Sequence, residues 1–145
     1  MKPVEMVPDR NKAVEILLYA IQRVPDMYSA FKVLYFATRE HLHRYGSPLF
    51  DEDFAAMEYG PVPSYLYDVV RTARGDCLYP VPKAHSDSLS VDGNDLIARR
   101  DPDLDYLSAS EKECLDWAIE GNKHRSFGQI KRKSHTPAYN RFRRE

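Results

Sequence analysis

The segment Tyr59-Gly60-Pro61-Val62-Pro63 constrains the fold of this chain more than any other. Each proline fixes its own φ near about −65° and removes one amide donor. Each also pushes the residue before it out of helical geometry. The spacing therefore predicts a rigid corner, not regular structure, that redirects the chain between two helical stretches.

Ahead of the corner, the pattern predicts two helices. The first is expected over 10–24, with Asp9 as its cap, because Val14, Leu17, Leu18, Ile21 and Val24 share one face at helical spacing. Pro25 ends it. The second is expected over 27–45, with Asp26 as its cap and Gly46 as its stop. Met27, Phe31, Leu34, Thr38, Leu42 and Tyr45 form its stripe, while Val33 and Phe36 lie on other sides. A helix apolar on more than one side is a central one.

Past it, residues 54–59 read as a short extended segment, and a third helix is expected over 64–73, stopped at Gly75. Asp92-Gly93-Asn94 is a turn signal between strands expected at 88–91 and 96–99. Ser108 and Glu111 are spaced as a capping box for a fourth helix with Leu107, Cys114, Leu115, Ala118 and Ile119 on its apolar face and Gly121 at its end. A fifth helix is expected over 127–133, with a last turn near Pro137. The fold class that follows is α+β, predominantly helical, with about five helices and a small β-hairpin. A chain of 145 residues suits one domain spanning 1–145.

Three stretches carry a resemblance: KVLYFATREHLHRYGSPL (32–49), MEYGPVPSYLYDVV (57–70) and LSASEKECLDWAIEGNKHRSFGQIKRKSHTPAYNRF (107–142). Together they resemble the Panacea domain, also known as the SocA-like antitoxin or phage-associated GepA-like domain. The resemblance implies an antitoxin of a toxin–antitoxin pair, encoded beside a toxic protein and neutralising it by direct binding. In at least one lineage such a domain hands its toxin to a protease.

The residues themselves suggest where a partner would sit. Tyr65 and Tyr67 flank Leu66, each about 100° from it around a helix. With Tyr59 they are candidates for an aromatic patch. Trp117 lies off the apolar face of its helix, so either the C-terminal segment or a partner covers it. Arg71 and Arg125 complete the candidate partner-binding set, since aromatic and arginine side chains dominate interface energies.

Other groups are assigned no chemistry. His41 and His43, two apart on a helix, diverge by about 200° and cannot chelate one metal together. His41 is expected to be a hydrogen-bonded residue at the edge of the core. Asp51, Glu52 and Asp53 read as a solvated turn. Cys77 and Cys114 lack metal-site spacing and are expected to be reduced and buried. No nucleophile triad, phosphate loop or dinucleotide fingerprint is present. The expectation is a non-enzyme without cofactor, metal or catalytic residue.

Charge is unevenly spread. Residues 122–145 hold eight Lys/Arg against one acid, a net of +7, which leaves −8 for the first 121 residues of a chain of net −1. A basic, aromatic tail suits an acidic protein surface or nucleic acid. The overall pI near 6.5 disfavours nucleic acid. No apolar run is long enough to span a membrane, and the cytoplasm is the expected compartment. The expected partner is a cognate toxin protein. A cellular protease, for which the chain would be an adaptor, a regulatory role on nucleic acid through the basic tail, and a homo-oligomer are the alternatives.

Overall fold

The computed structural model describes residues 9–122. The expected helix at 127–133, the turn near Pro137 and the basic tail lie outside the described residues. In chain order the elements are α1 (Arg10–Ile21), α2 (Met27–Tyr45), β1 (Phe54–Met57), β2 (Gly60–Pro63), α3 (Ser64–Arg74), α4 (Lys83–Ser86), β3 (Leu89–Asp92), β4 (Asp95–Ala98) and α5 (Ala109–Asn122). A 3-10 turn at Leu104–Tyr106 precedes α5. The class is α+β and mostly helical, with two antiparallel strand pairs where the sequence indicated one.

Local chemistry sets the helix ends. Asp9 accepts the Lys12 amide at 3.0 Å, and Asp26 accepts that of Ser29 at 2.9 Å. Gly46 closes α2 with φ +78° and Gly75 closes α3 with φ +90°, values that strain any side-chain-bearing residue. The capping box of α5 is reciprocal: Glu111 accepts the Ser108 amide at 2.9 Å, and Ser108 Oγ accepts that of Glu111 at 3.2 Å. Some boundaries move. α1 stops at Ile21, because the amides of Arg23 and Val24 both turn back to the Ala20 carbonyl. Gly121 does not end α5, which runs on to Asn122. The four-residue α4 has too little periodicity to be seen in sequence.

The proline corner is a strand. β2 pairs with β1 in the register Phe54↔Pro63, Ala55↔Val62, Ala56↔Pro61 and Met57↔Gly60. Neither proline can donate, so the ladder runs through the amides of Gly60 and Val62. The prolines occupy the alternate positions, whose nitrogens face away from β1, which is where a strand tolerates them. The Asp53 carbonyl accepts the Ser64 amide at 2.8 Å and continues the same alternation. The expected extended segment is thus β1 plus a turn at Glu58-Tyr59. Lys32, fully buried in α2, donates from Nζ to the Tyr59 carbonyl and pins this turn to the central helix.

α2 is the central helix, buried on all sides from Phe31 to Ala37. α5 packs along it, and α1 crosses between α2, α3 and β4. α1 is less one-sided than its spacing suggested. Ala13, Ile16 and Ala20 are as buried as Val14, Leu17 and Leu18. Glu15 is buried with them, held by a two-pronged bond to Arg100 at 2.8 and 2.7 Å and by the Asp103 amide at 2.8 Å. The β3–β4 pair turns at Gly93-Asn94, with Gly93 at φ +63°. Its tip clamps the α1–α2 link: the Asn94 carbonyl accepts the Met27 amide, and that of Pro25 accepts the Leu96 amide, each at 2.8 Å. At the far end of α2, Leu42 and Tyr45 leave the expected stripe and are about half exposed.

Candidate functional site

Tyr28, in the first turn of α2, faces the ring of Tyr59 from the β1–β2 turn at a centroid distance of 5.2 Å. Tyr67 of α3 packs edge-on against Phe31 at 6.3 Å, one helical turn along from Tyr28. The Arg71 guanidinium lies over the Tyr67 ring at 5.6 Å. Burial, reinforced by the neighbouring Tyr67 and Tyr59, pushes the Tyr28 hydroxyl above its ordinary pKa, so it stays protonated. Arg74 bonds Asp76 at 2.9 Å, and the nearby Tyr67 hydroxyl, with Asp76, favours its charged form. The result is a surface of three tyrosines and two arginines. Beside it opens a cleft of about 390 Å3 lined by Asp26, Tyr28, Ser29, Tyr59 and Asn94.

Of the six residues the sequence nominated, the structure brings three together: Tyr59, Tyr67 and Arg71. Tyr65 points elsewhere. Its hydroxyl lies 2.6 Å from His85 Nδ1, while His85 Nε2 lies 2.7 Å from Asn11 Oδ1. Burial, together with the charge of Arg100, holds the His85 pKa down against the pull of Glu15. The neutral ring then donates from Nε2 to Asn11 and accepts at Nδ1 from Tyr65. With Arg10 stacked 4.5 Å over its ring, Tyr65 is a strut between α1, α3 and α4.

Trp117 also stands apart. It is 40% exposed and carries the Arg44 guanidinium 5.9 Å over its ring. Arg44 is sixteen residues from Tyr28 along α2, about 24 Å by helical rise. Around Arg44, Glu40 bonds at 2.6 Å and Glu113 at 3.6 Å, and Tyr45 donates to Glu113. Arg125 lies outside the described residues.

Sequence reasoning missed Tyr28, Arg74 and Lys32. The Tyr28–Tyr59 contact joins residues far apart in the chain, and no spacing rule reaches that distance. Reasoning also misread Glu52. The expected solvated turn is exposed at Asp51 and Asp53, but the Glu52 side chain is 1% exposed. Its carboxylate accepts the amides of Asp53 at 2.9 Å and of Tyr65 and Leu66 at 3.2 Å. It thereby caps α3, whose own preceding residue, Pro63, has no capping side chain. Burial pushes its pKa up, opposed by those three amides and by Arg10 at 3.8 Å.

His41 is buried, with Nδ1 2.7 Å from the Ser47 carbonyl and Nε2 2.9 Å from Ser110 Oγ. It joins the end of α2 to the start of α5. Cys114 is buried, whereas Cys77 is only half-buried. Among the described residues no group of three His, Cys, Asp or Glu is placed to hold a metal, and no helix is long and apolar enough to cross a membrane.

A mostly helical α+β domain with an aromatic and basic surface at one end of its central helix is the class that fold and site define. Residues 31–139 match the family described as antitoxin SocA-like, Panacea domain, and the chain belongs to that family. No curated protein and no solved structure matches it.

Proposed function

We propose that this protein is an antitoxin that acts in the cytoplasm as a single domain over 1–145 and neutralises a cognate toxin protein by direct binding. Membership of the SocA-like antitoxin family carries the reading. The contact surface we assign is Tyr28, Tyr59, Tyr67, Arg71 and Arg74. Tyrosine and arginine are enriched where interface energy concentrates, and tyrosine orders at low entropy cost. Neutralisation of this kind makes and breaks no covalent bond, so it calls for no catalytic group.

The test is growth rescue. The open reading frame beside the gene is expressed alone and then together with this chain. Arrest by the first and rescue by the pair is the expected result. Tyr59→Ala, Tyr67→Ala and Arg71→Ala should each abolish rescue while the far-UV circular dichroism stays unchanged. Rescue by all three variants would remove the surface assignment. No binding between the two purified proteins would remove the function. Toxin levels measured during rescue separate occlusion from delivery to a protease.

A further inference from the structure

The two strand pairs differ in what their outer edges offer. In the β1–β2 ladder the amides of Ala55 and Met57 point toward β2, because Val62 and Gly60 are their bonded partners. The amides and carbonyls of Phe54 and Ala56 therefore point the other way. Among the described residues β1 has β2 as its only strand neighbour, and those four groups have no backbone partner. The opposite edge of the pair cannot be extended in the same way, since Pro61 and Pro63 hold the outward positions of β2 and have no amide. One edge is closed by proline, and the other is open among the described residues.

The open edge is also undecorated by the usual protection. Ala55 and Met57 are exposed, and small Ala56 stands beside the unpaired groups. No lysine or proline lies in β1 to block pairing. Acidic side chains flank it instead. Asp51 and Asp53 precede the strand and Glu58 follows it, all exposed, and none is in an ion pair among the described residues. The turn that ends β1 carries Tyr59, so the edge runs directly into the aromatic surface assigned above.

We infer that β1 is a strand-addition site: an extended segment of the toxin, flanked by lysine or arginine, pairs with the backbone of Phe54 and Ala56. This rests on the binding role proposed above and names the partner's chemistry there. The basic flanks follow from charge complementarity with Asp51, Asp53 and Glu58.

Amide hydrogen exchange by NMR on the full chain tests this with two synthetic peptides, KTVTVTK and ETVTVTE. In the free chain the Ala55 and Met57 amides should be protected and those of Phe54 and Ala56 should exchange freely. Millimolar KTVTVTK should slow Phe54 and Ala56 by about ten-fold or more, and ETVTVTE should not. Ala56→Pro removes an outward donor only, so it should abolish protection at Phe54 while Ala55 stays protected, and Ala56→Ser should behave as wild type. Protection of Phe54 and Ala56 in the free chain at every concentration would mean that the chain's own residues fill the edge. Protection that grows with protein concentration would mean a second copy does. Either result overturns the inference, as does an equal response to both peptides or to neither. Growth rescue separates it from the proposed function. Full rescue by Ala56→Pro ends strand addition and leaves neutralisation standing. A wild-type chain that fails to rescue ends neutralisation, and the exchange data still decide the edge.

Discussion

Tyr65 and Tyr67 are two residues apart in one helix and have different work. Two positions along a helix rotate a side chain by about 200°, so neighbours of this spacing look in nearly opposite directions. Tyr65 faces His85 and Arg10, and Tyr67 faces Phe31 and Arg71. Tyr65→Ala should therefore lower unfolding free energy by about 1–3 kcal/mol, through the lost bond to His85 and lost packing. Urea titration measures it, and Tyr67→Ala should shift the midpoint less. Glu15 gives a second residue-scale expectation. Burial alone would raise its pKa, but the Arg100 bonds, the Asp103 amide and the Arg100 charge outweigh burial and hold it below 4.5. A carboxyl depressed in the folded state stabilises above its unfolded pKa and loses that contribution as pH falls through the folded value. The Tm gap between wild type and Glu15→Gln should therefore be widest near neutral pH and shrink below about pH 4.5. Part of the candidate site was legible at this scale. Tyr67 flanks Leu66, Tyr59 belongs to the proline corner and Arg71 is of a type that anchors interfaces, so type and spacing suffice to nominate them. Tyr28 was not legible, because a contact with a residue 31 positions away leaves no mark on local periodicity. Glu52 was hidden for a related reason: whether an acid in a turn is wet depends on which helix end folds over it.

At the scale of elements, the β1–β2 pair shows how far a local rule carries. Proline was read as incompatible with a strand, and that holds only where its nitrogen faces a partner. The register decides, and register is a tertiary fact. It makes a sharp expectation: Val62→Pro deletes a ladder donor that Pro61 and Pro63 never supplied, and should cost about 1–3 kcal/mol, measured by thermal denaturation. Pro61→Ala, which removes no bond, should cost far less. The capped helices were readable because each terminus is a local contract among three or four residues: Asp9 with Lys12, Asp26 with Ser29, Ser108 with Glu111. α4 was not, being a single turn held by the Pro82 carbonyl with no apolar repeat. The all-round burial of α1 also escaped notice. Alanine and isoleucine on its second side are buried too, in a helix packed by α2, α3 and β4.

For the molecule as a whole, the family match begins at Phe31, yet one continuous core includes α1. Ile16, Leu17 and Leu18 are fully buried in it. Leu17→Ala should destabilise by about 2–5 kcal/mol, as a core cavity does, and chemical denaturation measures it. A loss of that size at a position before the matched stretch would show that the cooperative unit extends beyond the recognisable motif.

The packing of α5 against α2 sets a timetable for synthesis. His41 and Ser110, bonded in the finished molecule, are 69 positions apart in the chain. At about 5–20 residues per second, roughly 3–14 s of translation separate them. Throughout that interval a flank of the central helix is made but uncovered, open to chaperones and proteases. A message broken before the codons of α5 leaves that flank bare for good, so the cell's supply of working protein follows the number of messages read to the end.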